Sequence, residues 1–132
     1  MKRWKILAVE DEPDILHGLV LRLEAAGYEV RTAADGRAAM RLASRETPDL
    51  ILLDIGLPGD SGHQVAARLR NMEGTSAIPI IYLTASAGGG DIRQARALGV
   101  QRYITKPFDG GYLLRAMAEL LTASSATVGT LE

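Results

Sequence analysis

Glu10, Asp11, Asp54, Thr84 and Lys106 each follow or close a short apolar run, where a polar side chain is set at an edge rather than lost in a core. Three carboxylates brought together repel one another unless a cation stands between them. Oxygen donors with no His or Cys beside them favour a hard ion, Mg²⁺ ahead of Ca²⁺ or a transition metal. Lys106 adds a second positive group and Thr84 a hydroxyl donor. A cation, an ammonium and a hydroxyl around one aspartate suit an oxyanion, most naturally a phosphoryl group. Asp54 could itself be the nucleophile, because a carboxylate attacks phosphorus to give an aspartyl phosphate. A carboxylate nucleophile has no proton to give up on attack, so no general base is needed. Mg²⁺ and Lys106 would offset charge on the equatorial oxygens, which is most of what phosphoryl transfer asks of a protein.

These residues act together only if the chain gathers them. Lys5–Val9 is a compact apolar run, read as a buried strand. Pro13 and the acids around it suit the first turn of a helix, in which Ile15, Leu16, Leu19, Val20 and Leu23 recur at helical spacing and Gly27 marks the stop. Tyr28–Ala33 reads as a second strand, and Asp35 caps a second helix that ends before Pro48. Leu50–Leu53 is apolar at every position, as in a strand covered on both faces, and stops at Asp54. A glycine-rich loop leads to a third helix through Val65, Leu69 and Met72. Ile78–Leu83 forms a fourth strand closed by Thr84. Gly88–Gly90 reads as a mobile loop before a short helix around Ile92, Ala95 and Leu98. Val100–Thr105 makes a fifth strand before Lys106, and Asp109 caps a last helix through Leu113 and Leu121.

Five strand–helix alternations imply an α/β fold, an open parallel sheet with helices on both faces. Such sheets carry their sites beyond the carboxyl ends of the strands, where strand order reverses. If the order is 2-1-3-4-5, strands one and three flank that point, and their acids converge.

Composition bounds the rest. The 132 residues carry 15 Lys+Arg and 16 Asp+Glu, a net charge of -1. That gives no basic field to displace counterions from nucleic acid, and six aromatics make a poor base-stacking platform. The absence of cysteine excludes disulfides and thiolate metal sites. No apolar run approaches the ~18 residues of a membrane span and no signal-peptide pattern follows Met1, so a cytoplasmic protein with no membrane contact is expected.

The residues Ile6-Leu7-Ala8-Val9-Glu10-Asp11-Glu12-Pro13, Asp54-Ile55-Gly56-Leu57-Pro58 with Gly62, Thr84-Ala85, and Tyr103-Ile104-Thr105-Lys106-Pro107-Phe108 stand in an order and spacing that resembles the receiver domain of bacterial two-component response regulators, over roughly 4–121. The resemblance implies a CheY-like, flavodoxin-like (βα)5 doubly wound parallel sheet in order 2-1-3-4-5, with three αβα layers. It implies that Asp54 accepts a phosphoryl group from a phosphohistidine on a sensor histidine kinase or histidine phosphotransfer protein, and that the domain then shifts from an inactive to an active conformation. Asp11, Asp54 and the backbone carbonyl of Gly56 would hold Mg²⁺, with Glu10 acting mainly through a metal-bound water. Lys106, after a cis peptide bond to Pro107, would pair with Asp54 and then with the phosphoryl oxygens. Thr84 would hydrogen-bond the phosphoryl group and Tyr103 would turn inward. The readout would be the face of helix four, strand five and helix five, also the surface for a homodimer or an effector. The chain would be no turnover enzyme, catalysing only its own phosphorylation and dephosphorylation.

Residues 1–122 are expected to form the receiver domain and 123–132 a flexible tail or cut linker, as a free-standing regulator or the first domain of a longer one. Glu10 stands where the family often has Asp, and Gly56 and Ser86 are small where dephosphorylation rate is set. Glu12 and Asp14 read as favourable first-turn charges, Asp60 and Asp109 as loop and cap residues, and His17 and His63 as solvated. The alternatives are a receiver-like interaction module working without phosphorylation, an FMN protein, and an aspartyl-phosphate phosphatase. The last two lack, respectively, a phosphate-cradling first loop and a second acid at position 56.

Overall fold

The computed structural model describes residues 3–57, 61–85, 89–100 and 102–130, with the side chains of 89–92 and 124–130 outside that description. Strands β1 (Lys5–Val9), β2 (Glu29–Ala33), β3 (Leu50–Asp54), β4 (Ile80–Thr84) and β5 (Arg102–Thr105) alternate with helices α1 (Pro13–Ala25), α2 (Gly36–Glu46), α3 (Gly62–Asn71), α4 (Gly89–Ala97) and α5 (Gly110–Thr130). All pairings are parallel, in the order β2-β1-β3-β4-β5. The expected flavodoxin-like sheet is therefore the observed one, and β1 and β3 are neighbours with β2 and β4 outside them.

Alternation along the strands divides the core between two layers. Leu7, Val9, Ile51, Leu53, Ile80 and Tyr82 pack with Ala39, Ala43, Val65, Leu69 and Ala95 of α2, α3 and α4. Ile6, Ala8, Leu50, Leu52, Ile81, Leu83 and Ile104 pack with Leu19, Leu23, Leu113 and Met117 of α1 and α5. Every residue of β3 and β4 is buried, which accounts for their unbroken apolar runs.

Local chemistry sets the helix ends. Asp35 accepts from the Ala38 N–H at 2.8 Å and caps α2. Asp109 accepts from the N–H of Gly111 at 2.7 Å and of Tyr112 at 3.3 Å, opening α5 as expected. Gly27 (φ 95°) ends α1 and Gly99 (φ 71°) ends α4, each in the left-handed region that glycine enters without steric cost.

Several expectations change. Strands β2, β4 and β5 begin at Glu29, Ile80 and Arg102 rather than at Tyr28, Ile78 and Val100, and Met72 is the exposed residue after α3 rather than part of its buried stripe. Gly89 and Gly90 lie in the first turn of α4 rather than in a loop. First-turn N–H groups lack intrahelical partners in any helix, so glycine is tolerated there. Helix α5 runs on to Thr130, past Ala123, where a flexible tail was expected. An existing helix propagates far more easily than one nucleates, and the alanines at 123 and 126 favour continuation. The readings of Asp60, Ser86, Gly88 and 131–132 lie outside the described residues. Among the described residues, no helix is long and apolar enough to cross a membrane.

Candidate functional site

The carboxyl ends of β1, β3, β4 and β5 open on one cleft of about 550 Å³, lined by Asp11, Asp54, Gly56, Ser61, His63, Thr84, Ala85 and Lys106. Asp54 is the last residue of β3, and Glu10 and Asp11 follow β1 directly. Thr84 ends β4 and is buried, and the next strand's exit at Lys106 is tied to it by the Lys106 N–H, which donates to the Thr84 carbonyl at 2.6 Å. The peptide between Lys106 and Pro107 is cis, as the resemblance implied.

The turn after β3 is closely built. One Asp54 oxygen, Oδ1, accepts from the Gly56 N–H at 3.0 Å. Gly62 then brings α3 back against β3, its N–H donating to the Ile55 carbonyl at 3.0 Å. A methyl group at Gly62 would lie 2.7 Å from the Asp54 carbonyl oxygen and closer still to Ile55 Cα. Only glycine permits this approach. Ser61 begins α3 with a capping box, its hydroxyl accepting from the Gln64 N–H while the Gln64 side chain accepts from the Ser61 N–H.

Charge is concentrated at the cleft. Glu10, Asp11 and Asp54 each offer a carboxylate oxygen within 4.8 Å of the others. The Lys106 ammonium donates to Glu10 Oε1 and lies 3.5 Å from Asp54 Oδ2. Glu10 Oε2 accepts from the Glu12 N–H at 3.2 Å. The Glu10 side chain has no exposed surface, and burial pushes its pKa above the ordinary carboxylate value. The Lys106 contact and the Glu12 N–H oppose that rise, and the Asp54 charge adds to it. Burial pulls the Lys106 ammonium toward deprotonation, but its bond to Glu10 and the charges of Asp54 and Glu10 outweigh this and raise its pKa. The oxygen-only donor set and the mutual spacing of three acids fit a hard divalent cation.

The expected residues Asp11, Asp54, Gly56, Thr84 and Lys106 thus share one cleft, with Glu10 buried under it. Tyr103 stands apart from the cleft lining, half-buried on β5, with its ring against that of Tyr82. His17 is exposed, but His63 is not solvated as expected. It is buried at the cleft, with Nδ1 2.9 Å from the Tyr82 hydroxyl. The sequence reading also passed over Ser61, although the Ser61-x-x-Gln64 spacing is a recognisable helix-start signal.

The family described as "Response regulator receiver domain" matches residues 6–118. The transcriptional regulatory protein KdpE of Mycobacterium tuberculosis is 42% identical over 103 residues, 78% of this chain and 44% of that protein. The regulator RpaA of Synechocystis is 41% identical over 89% of this chain and 48% of its own length. This chain therefore spans about half the length of these relatives. Protein PilH of Pseudomonas aeruginosa is 36% identical over 89% of this chain and 97% of its own. Among solved structures, the receiver domain of a sensor histidine kinase from Pseudomonas aeruginosa superposes with a TM-score of 0.84 at 35% identity, covering 92% of this chain and 99% of its own, and holds a magnesium ion coordinated in its active-site cleft. A CheY-like receiver domain protein from Methanospirillum hungatei gives a TM-score of 0.90 at 27% identity over 96% of this chain and 99% of its own.

Proposed function

The chain belongs to the response regulator receiver domain family, and from that premise we propose that Asp54 is the phosphoacceptor of a Mg²⁺-dependent phosphorelay switch. The observation that carries this reading is the cleft itself. It sets Asp54 beside Lys106 at 3.5 Å, next to a buried Thr84, with two further acids at the end of the neighbouring strand.

In the proposed reaction the Asp54 carboxylate attacks the phosphorus of a phosphohistidine on a sensor histidine kinase or histidine phosphotransfer protein. A P–O bond forms as the P–N bond breaks, and the departing imidazole keeps the electron pair. The Gly56 N–H fixes one Asp54 oxygen, so the carboxylate is aimed before the donor arrives. Lys106 stands beside the other oxygen, ready to follow charge onto the phosphoryl group. Asp11, Asp54 and the Gly56 carbonyl would hold Mg²⁺, with Glu10 contributing through a water. When bound, the ion supplies neutralisation of the phosphoryl oxygens. The chain acts only on its own phosphorylation state and turns over no external substrate.

Thr84 and Tyr103 are the proposed switch. Moving a population from about 1:99 to 99:1 needs ~5.5 kcal/mol. Charge-assisted hydrogen bonds from Thr84 and Lys106 to the phosphoryl group contribute ~1.5–3 kcal/mol each, so a large shift is within reach. The face of α4, β5 and α5 would carry the output, to an effector or a second copy. The receiver unit would be residues 1–122, with 123–132 a tail or linker beyond it in sequence. We place the domain in the cytoplasm, with no direct contact to nucleic acid.

The test is intact mass after incubation with a small acyl phosphate, with and without Mg²⁺. Wild type should gain one phosphoryl group only with Mg²⁺, and Asp54→Asn should gain none. Equal gain by the variant overturns the assignment, and no gain by wild type favours a receiver-like interaction module that works without phosphorylation.

A further inference from the structure

His63 is the second residue of α3, buried at the edge of the cleft that holds Asp54 and Thr84. Its Nδ1 lies 2.9 Å from the hydroxyl of Tyr82, which is fully buried on β4 two residues before Thr84. Residues two apart on a strand share a face, so Tyr82 and Thr84 project to the same side of the sheet. The Tyr82 ring stands edge-on between two others. The His63 ring is 5.1 Å away at 70°, and the Tyr103 ring is 6.2 Å away at 64°. Tyr82 and Tyr103 are register partners on adjacent strands. A continuous contact therefore runs from the cleft wall, through one hydrogen bond and one aromatic edge, to the side chain proposed to move.

We propose that His63 and Tyr82 form a positioning pair whose hydrogen bond holds the Tyr82 ring where Tyr103 rests on it, coupling the state of the cleft to the orientation of Tyr103 by a route that does not pass through Thr84. This inference rests on reading Asp54 as the phosphoacceptor and Tyr103 as the switch. A buried hydroxyl and a buried imidazole need partners in any fold, so their pairing has a packing role too. What positioning adds is a dependence of Tyr103 on that bond. With the Tyr82 hydroxyl removed, the ring keeps its volume but loses the anchor that fixes its tilt. Tyr103 then redistributes between its resting and inward orientations. The expected change in their ratio is roughly fivefold, the population factor that one neutral hydrogen bond of ordinary strength carries.

The experiment is fluorine NMR on the full chain labelled with 3-fluorotyrosine, the Tyr103 signal being assigned by its loss in Tyr103→Phe. Spectra are taken before and after phosphorylation with a small acyl phosphate and Mg²⁺, with intact mass measured on the same samples. Tyr82→Phe, which leaves the cleft lining intact, should take up the phosphoryl group as wild type does yet shift the Tyr103 ratio about fivefold; His63→Leu should give the same shift, and His63→Gln, which can still bond the Tyr82 hydroxyl, should restore the wild-type ratio. Tyr103 signals that match wild type in Tyr82→Phe and His63→Leu, even with lowered melting temperatures, would reduce the pair to packing and overturn the proposal. Failure of wild type to gain phosphoryl mass would sink the reading of Asp54, while the unphosphorylated Tyr103 ratio would still decide the case for His63 and Tyr82.

Discussion

Replacing Gly62 by alanine adds one methyl group at the point where α3 turns back onto the strand that carries Asp54. The new carbon would lie 2.7 Å from the Asp54 carbonyl oxygen and 3.0 Å from Ile55 Cγ2, with Ile55 Cα nearer than either. Ordinary contact begins at 3.4 Å, so the oxygen alone demands about 0.7 Å of separation, and Ile55 Cα demands more. Two of these atoms are backbone and cannot swing aside. Gly62 is absent from the residues with positive φ, so the penalty is steric and not conformational. Overpacking of this kind costs about 1–3 kcal/mol. Parting the segments also strains the Gly62–Ile55 hydrogen bond, about 1 kcal/mol more. At ~2.1 cal/mol/K per residue, ~2–4 kcal/mol in a chain of this size lowers Tm by ~7–14 °C. A shift approaching 1 Å in the nucleophile's segment should also slow phosphorylation on the order of 100-fold. Gly18, with nothing within 4 Å of an added methyl in mid-α1, is the control. There alanine should stabilise by ~0.5–1 kcal/mol. Calorimetric melting and single-turnover phosphorylation of both variants decide the matter. A Gly62→Ala protein melting within about 2 °C of wild type, with an unchanged phosphorylation rate, would refute the close-approach account.

Glu10→Gln tests the buried acid through pH. Because burial raises the folded pKa of Glu10 above its unfolded value, its contribution to stability is fully present at low pH and lost as pH rises through the folded pKa. In metal-free buffer the variant should therefore gain on wild type in urea midpoint between acidic and neutral pH, and a falling difference would contradict that sign. Arg70 is a half-buried bracket whose guanidinium donates to the carbonyls of Leu98 and Ile78 at 2.8 Å and of Ser76 at 3.1 Å, joining α3 to the end of α4. Arg70→Ala should cost about 2–3 kcal/mol by urea denaturation, with faster amide exchange at Gly99 and Val100; unchanged exchange there would count against the bracket.

The strands were legible because a doubly covered parallel sheet writes itself as short apolar runs, and the acids at their ends were legible because nothing in a core explains them. Leu50–Asp54 is the plainest case, every residue buried and the last one charged. His63 was misread for the opposite reason. It follows a glycine at a helix start, a local context that suggests exposure, and only the packing of α3 against Tyr82, 19 residues on, buries it. The Glu10–Lys106 contact spans 96 residues and has no local signature at all. Its consequence, a buried acid held by the same lysine that faces Asp54, belongs to tertiary structure. The end of α5 escaped notice because Ser and Thr read as tail residues, whereas a helix already formed carries them at small cost per residue.

The central claim is that phosphoryl chemistry happens at Asp54 and at no neighbouring acid. Borohydride reduces an acyl phosphate to the alcohol, so an aspartyl phosphate trapped this way becomes homoserine, which peptide mass spectrometry can place along the chain. After reaction with a small acyl phosphate and Mg²⁺, homoserine should appear at position 54 alone, with Glu10 and Asp11 unmodified. Reduction product at Asp11 or Glu10, or phosphorylated protein that yields none at position 54, would contradict the account.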